Sequence, residues 1–268
     1  MSAEDKKLTI IVPTHDSYID VFAIFFRLFK KYWPDCPYEL VLSCNAFVPE
    51  EGQFEGVKII NNPEDCLITN RIYNAAVQYP SEYYLVLLED MFFGKTVDTQ
   101  RFESLISDLK KDCVSYCRLM PSETKKKLKL EYPPKCKPYA ISLMGFICNT
   151  DFVEENFKEN ISGWDYEGLQ LKKNLQYTKK ERFESAVICT GNPLNLIHGI
   201  AKGKWIRSAY KKIRKRNPEL DLSGREKLSV GATVKSRISS LSRVLSPKQR
   251  FKLKKFLSKL GFKFTTEY

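Results

Sequence analysis

Two adjacent carboxylates, Glu89 and Asp90, close the apolar run Tyr83-Tyr84-Leu85-Val86-Leu87-Leu88, and Met91-Phe92-Phe93 turns apolar again behind them. Ionised carboxylates flanked in this way repel each other and are poorly solvated unless a cation neutralises them. Magnesium or manganese does so through oxygen ligands, and commonly shares its coordination sphere with the phosphates of a bound substrate. The plainer reading is a pair of acids that ends a strand and begins a solvated turn.

Which reading applies depends on the elements that carry the pair. The first two thirds of the chain alternates strand-like and helix-like segments, which predicts an α/β fold: a mixed, mainly parallel sheet flanked by helices. Strands are expected at 8–12, 39–43, 56–60 and 83–88, with a helix at 18–32 and another at 65–79. In the second helix Asp65 could serve as the cap, and Ile68, Ile72, Ala75, Ala76 and Tyr79 keep helical spacing. Arg71 and Asn74, three apart, share a face. Further along, 125–138 reads as a loop, 139–148 as a strand, 151–157 as a short helix, and Gly163-Trp164-Asp165-Tyr166-Glu167-Gly168 as a loop entering another helix. Ligands of such sheets bind beyond the carboxyl ends of the strands. The polar clusters fall there: Thr14-His15-Asp16 after Pro13, then Cys44-Asn45, Asn61-Asn62 and Glu89-Asp90.

Composition narrows the field. At 268 residues, 43% of them hydrophobic and 13% aromatic, the chain can bury a full core. Its eight cysteines form no C-x-x-C pair and there are only two histidines, which argues against a zinc site and suits thiols used as small hydrophobes in a reducing compartment. No secretory signal is expected ahead of residue 8. No apolar span approaches the roughly 20 residues of a membrane helix. The charge is uneven: residues 202–268 hold 20 Lys or Arg against 4 Asp or Glu, while residues 1–201 hold 24 against 28. A slightly acidic body thus carries a strongly basic tail.

The order of these features resembles that of the GT-A (Rossmann-like) glycosyltransferases, in particular bacterial transferases of capsule and lipopolysaccharide synthesis. The resemblance rests on Ile10-Ile11-Val12-Pro13-Thr14-His15-Asp16, on Asn70-Arg71 through Asn74-Ala75 to Glu89-Asp90-Met91-Phe92-Phe93, on Trp164-Asp165-Tyr166-Glu167, and on His198-Gly199-Ile200-Ala201-Lys202-Gly203-Lys204-Trp205. It implies a catalytic domain over 1–205 and a nucleotide-sugar donor above the strand ends. Thr14, His15 and Asp16 would lie around the base and ribose, with Arg71 facing the phosphates and Asn74 beside it, and Pro13 and Asn62 would also belong to the donor site. A divalent metal, Mn or Mg, would bridge the diphosphate to Asp90 and Glu89, with His198 as a further ligand. The family pattern is Asp-any-Asp, and Leu88 stands at its first acid, which makes Asp90 the better ligand of the two and leaves a metal-independent variant open.

The reaction implied is sugar transfer to a hydroxyl, with inversion. It needs a carboxylate base, for which the resemblance offers Glu167 ahead of Asp165. Trp164 and Tyr166 would stack on the acceptor. The same residues have plainer readings: a helix-capping pattern for Asp165 and Glu167, core packing for the two aromatics, a hydrogen-bonded turn for His15 and a structural role for His198.

The tail, 206–268, reads as a basic amphipathic helical extension, with Leu253, Phe256, Leu257 and Leu260 on one face of 251–260. Such a helix docks on an anionic membrane surface. That suits a peripheral protein on the cytoplasmic face acting on a lipid-linked or surface glycan acceptor. The tail could equally pack on the body or form a homo-oligomer interface. Nucleic acid is the less favoured ligand, since no nucleic-acid-binding motif accompanies the charge. Two other functions stay open: a nucleotidyltransferase, although the first loop has neither glycine nor lysine, and a polybasic adaptor with an inactive α/β domain.

Overall fold

The computed structural model describes residues 6–119 and 128–232; residues 125–127 of the expected loop and the basic helix at 251–260 lie outside them. The described chain divides into two compact units, the first running to His198 and the second beginning at Gly199.

The first unit is built on eight strands. β1 (Leu8–Pro13), β2 (Glu39–Cys44), β3 (Val57–Asn61) and β4 (Tyr83–Val86) lie in the order β3-β2-β1-β4, all parallel. Ile10 pairs with Leu40 on one side and Leu85 on the other. The sheet continues through β8 (Phe146–Asn149), antiparallel to both neighbours, then β6 (Tyr116–Leu119), β9 (Ala186–Thr190) and β7 (Lys129–Glu131) at the edge. The expected mixed, mainly parallel sheet flanked by helices is therefore observed. β1 and β4 are buried along their whole length, as near-continuous apolar strands of a parallel sheet should be.

Helices close both faces. α1 (Ile19–Tyr32) buries Val21, Phe22, Phe25, Leu28 and Phe29 on one stripe, with Asp20 in its first turn and Lys30 and Lys31 in its last, as the helix dipole favours. Phe25 and Phe29 each lie 5.6 Å from the ring of Phe93, in the short strand β5 (Met91–Phe93). On the other face α2 (Ile68–Gln78) and α4 (Thr150–Asn156) pack Ile72, Ala75, Phe152 and Val153 against Ile11, Tyr84 and Val86. Each Val, Ile or Phe side chain among them, fully buried, contributes about 1.5–3 kcal/mol. α3 (Thr99–Lys111) and α5 (Gly163–Asn174) complete the unit, with β10 (Leu196–His198) antiparallel to β5.

Four local expectations are corrected. Residues 129–131, inside the expected loop 125–138, form the edge strand β7, antiparallel to β9. Asp65 does not cap α2: the N-cap is Leu67, whose N–H donates to Asn160 Oδ1 at 2.7 Å, while Asn160 Nδ2 donates to the Asp65 carbonyl at 3.0 Å. Residues 139–145 do not form a strand. The turn there ends at Gly145, whose φ of 58° suits glycine and where a Cβ would lie 2.9 Å from Met91 Sδ, so pairing starts only at Phe146. The segment 163–168 is not a loop but the opening of α5.

The second unit opens with the strands β11 (Ile200–Ala201) and β12 (Lys204–Trp205), followed by α6 (Arg207–Arg216). Trp205 is buried, donates Nε1–H to the Leu222 carbonyl at 3.1 Å and packs on Tyr210. α6 turns Ala209, Tyr210 and Ile213 inward and leaves Lys211, Lys212, Arg214, Lys215 and Arg216 exposed.

Candidate functional site

In the order β3-β2-β1-β4 the chain builds outward from β1 in one direction and returns to its other side with β4. This is a topological switch point, and the crevice above β1 and β4 is where open α/β sheets bind ligands. The loops leaving these two strands carry Thr14, His15, Asp16, Glu89 and Asp90.

After β1, Pro13 and Thr14 are buried, and the Thr14 N–H donates to the Ser43 carbonyl at 2.9 Å. His15 is exposed and caps a single 3-10 turn, Asp16–Tyr18: its Nδ1 accepts from the Ser17 N–H at 3.1 Å and lies 2.8 Å from Ser17 Oγ. Asp16 reaches across to the loop after β2. Its Oδ1 accepts from the Asn45 N–H and its Oδ2 from the Ala46 N–H, both at 2.8 Å.

Arg71 locks the same two loops from below. Its guanidinium, in a residue only 7% exposed, donates through Nη1 to the Thr14 carbonyl and through Nη2 to Asn45 Oδ1 at 2.9 Å. Asn74 Nδ2 donates to Asn62 Oδ1 at 2.9 Å, and Asn62 Nδ2 in turn donates to Ser43 Oγ and the Cys44 carbonyl. Arg71, Asn74 and Asn62 therefore spend these groups on the frame of the crevice, joining the ends of β1, β2 and β3. Ser43 and Asn45 belong to this network as much as the predicted residues do. Asn45 carried a signal, its place at a strand end, whereas Ser43 inside the strand carried none.

After β4 the chain turns through Leu88, Glu89 and Asp90 into β5. The β5–β10 pairing sets His198 opposite Met91 and brings its Nε2 to 3.0 Å from Asp90 Oδ2. The Asp90 side chain is 13% exposed and its Oδ1 is buried without a hydrogen-bond partner. A buried carboxylate oxygen left without a donor is costly, and a hard cation completes it. No three His, Cys, Asp or Glu side chains gather into a metal-binding group among the described residues, so Glu89 does not join Asp90 and His198 in a ready-made cage. Two protein ligands with an unsatisfied oxygen still suit an ion that takes its remaining ligands from phosphates and water.

The last candidates open α5. Ser162 is its N-cap: Ser162 Oγ accepts from the Asp165 N–H at 3.2 Å and donates to Asp165 Oδ2 at 2.6 Å, a reciprocal cap that matches the plainer reading of Asp165. Glu167 points to the turn before β8, where its Oε1 accepts from Ser142 Oγ at 2.8 Å and from the Leu143 N–H at 3.2 Å. Oε2 takes neither bond. Tyr166 is 3% exposed and packed 5.4 Å from Phe157, and burial pushes its hydroxyl well above the ordinary tyrosine range. It presents no face to a sugar, so its expected stacking role gives way to a core role. Trp164 is the opposite case, at 88% exposed.

No family model matches the chain, and no curated protein matches it. Among solved structures it is similar to a CMP:2-keto-3-deoxy-manno-octonic acid synthetase complexed with CTP, at 14% identity over 80% of this chain and 100% of that one, with a TM-score of 0.47. The galactosyltransferase LgtC, in complex with donor and acceptor sugar analogs, is 12% identical over 79% of this chain and 94% of that one, with a TM-score of 0.47. S. aureus TarS is 13% identical over 69% of this chain, which spans 36% of TarS, with a TM-score of 0.45. Likeness at this level carries no activity with it, because one fold hosts many chemistries.

Proposed function

We propose that the chain is a glycosyltransferase that binds a nucleotide-diphosphate sugar in the crevice above β1 and β4 and passes the sugar to a hydroxyl of a lipid-linked or surface glycan. The observation that carries this reading is Asp90: a buried carboxylate beside His198, with one oxygen unpartnered, at the switch point of a Rossmann-like sheet. Thr14, His15 and Asp16 lie on the loop that would hold the base and ribose, and Arg71, Asn74 and Asn62 keep that loop and its neighbours in place.

Asp90 and His198 would hold a divalent ion, which when bound would neutralise the charge that grows on the leaving diphosphate. The acceptor oxygen forms a bond to the anomeric carbon as the bond from that carbon to the diphosphate breaks. Glu167 takes the proton of the acceptor hydroxyl. The two bonds to its Oε1 would hold the carboxylate still and leave Oε2 for the proton. Attack opposite the leaving group inverts the sugar centre.

Peripheral attachment on the cytoplasmic membrane face completes the proposal. No helix among the described residues is long and apolar enough to cross a membrane, and the exposed cations of α6 supply a basic face at the start of the tail.

The test is thermal denaturation with UDP-, GDP-, dTDP- and CMP-sugars, each with and without manganese, on the native chain and on Asp90→Ala. Metal-dependent stabilisation by a UDP-, GDP- or dTDP-sugar, lost in the variant, supports the donor site and names the base, whereas a response to the CMP-sugar alone overturns the diphosphate donor. Equal responses from both proteins, or none from the native chain, overturn it.

A further inference from the structure

The helix α5 is built inside out. A surface helix normally turns its apolar stripe to the core and its polar residues to water, as α1 does. In α5 the buried positions are Tyr166, Gln170 and Asn174, so two of the three are amides. The outward side carries Trp164 at 88% exposure, the half-buried Leu171, and Leu175 at the C-cap at 86%. Trp164, Gly168, Leu171 and Leu175 follow the i, i+4, i+7, i+11 spacing of one helical stripe, about 16 Å long. A Cβ on Gly168 would meet no atom within 4 Å, so the space over the middle of the stripe is open. An exposed apolar stripe rimmed by charge suits a contact surface.

The charges around it say with what. Lys172, Lys173, Lys179 and Lys180 are exposed at the C-terminal end of α5 and just beyond. Lys137 is exposed on the loop whose carbonyl accepts from Asn174 Nδ2 at 3.0 Å. The neighbouring acids are held by local bonds: Asp165 to Ser162, Glu167 to Ser142, and Glu181 to the Thr178 N–H and hydroxyl. Tryptophan and leucine on one face with a lysine rim match a helix lying in the headgroup layer of a bilayer, with lysine stems along the apolar surface and their ammonium groups at the lipid phosphates.

We infer that the outward face of α5 is a membrane contact of the first unit, in which Trp164, Leu171 and Leu175 enter the interface of an anionic bilayer and the surrounding lysines bind its headgroups. This contact is separate from the basic tail, and it does not depend on the donor chemistry proposed above.

The protein contains its own reporter. Of its three tryptophans, Trp33 and Trp205 are each 1% exposed, so emission open to a soluble quencher belongs to Trp164. The full chain is mixed with vesicles of phosphatidylcholine alone or with added phosphatidylglycerol, in the absence of any sugar nucleotide. The expected result is a blue shift of the emission and loss of acrylamide access with anionic vesicles only. Both effects should disappear in the Leu171→Glu, Leu175→Glu double variant, whose circular dichroism should match the native chain. Co-sedimentation with vesicles while Trp164 stays open to acrylamide overturns the inference, because another face then docks. Shielding of Trp164 without vesicles overturns it too: growth with protein concentration points to a second copy, and independence of concentration to a segment of the same chain. No vesicle binding at all also overturns it. None of these outcomes touches the transferase reading, since no donor is present.

Discussion

Ser142 Oγ donates to Glu167 Oε1 across 2.8 Å, tying the first turns of α5 to the turn that leads into β8. Two residues upstream, Asp165 is bound to its own helix cap. The two acids that the sequence offered as alternatives thus sit in different settings. Glu167→Gln should keep the bond from Ser142 and the fold, while lowering kcat by about 10²–10⁴-fold, the usual worth of a general base. Asp165→Ala should retain turnover and cost at most about 1 kcal/mol of stability, because Ser162 still accepts from the residue 165 N–H and only its bond to Oδ2 is lost. Steady-state kinetics beside urea denaturation of both variants separates the roles, and the reverse pattern would reassign the base.

Asp90→Asn should be no less stable than the native chain, and up to about 1 kcal/mol more so, because it exchanges a buried, partly unpaired charge for a neutral amide. The same variant should lose the manganese-dependent rise in melting temperature with the cognate sugar nucleotide. A drop of several degrees in the ligand-free variant would show instead that the Asp90–His198 contact holds the structure together.

Arg71→Met removes the donors that Thr14 and Asn45 receive inside a buried network, and should destabilise the chain by about 2–4 kcal/mol. Arg71→Lys should recover less than half of this, since one ammonium cannot span two acceptors set for a guanidinium fork. Urea midpoints measured without ligand test the claim directly. Native-like stability in Arg71→Met would free the arginine for a role toward phosphate.

Burial pushes the Cys36 thiol up from 9.0 to about 12, and the Tyr38 and Tyr83 hydroxyls up from 10.0 to about 12. Below pH 9 both folded and unfolded chains hold these protons. Above it the unfolded chain releases them first, so it binds fewer protons than the folded one and stability falls as pH rises from about 9 to 12. Cys36→Ala should soften the lower part of this decline. A urea midpoint flat across that range would contradict the burial of these groups.

Much of the frame could be read from the residues. The runs at β1, β2 and β4 are apolar enough to be buried on both faces, and the spacing in α1 and α2 left little choice of helix. Residues brought in from far along the chain could not be read in this way. Asn160, whose side chain accepts from the N–H of the cap residue Leu67, is 93 positions from it, and no local pattern points to it. The stretch 139–148 looked like a strand because its apolar content is strand-like. The bonds from Ser142 and Leu143 to Glu167 and the bend at Gly145 decide otherwise, and all depend on tertiary contacts. In the candidate site, Thr14, Asp90 and His198 stood out by type and position, but only the β5–β10 register brought the last two together. Tyr166 and Trp164, two apart on one helix, could not be told apart as core and surface until the helix had a direction.

The stitching of α2 to residues 157–161 has a consequence for how the protein is made. Thr69 Oγ donates to the carbonyls of Glu159 and Ile161, Asn70 Nδ2 to those of Phe157 and Lys158, and Asn160 completes the helix start. Until the ribosome has delivered that later segment, the first turn of α2 has none of these partners, and Arg71, one turn on, has no fixed platform from which to grip Thr14 and Asn45. The half of the sheet that emerges first must therefore wait for the second half before its strand-end loops are set. Truncations that stop short of residue 157 should yield a nascent chain that collapses early but matures late, and stays open to chaperones and proteases in the interval.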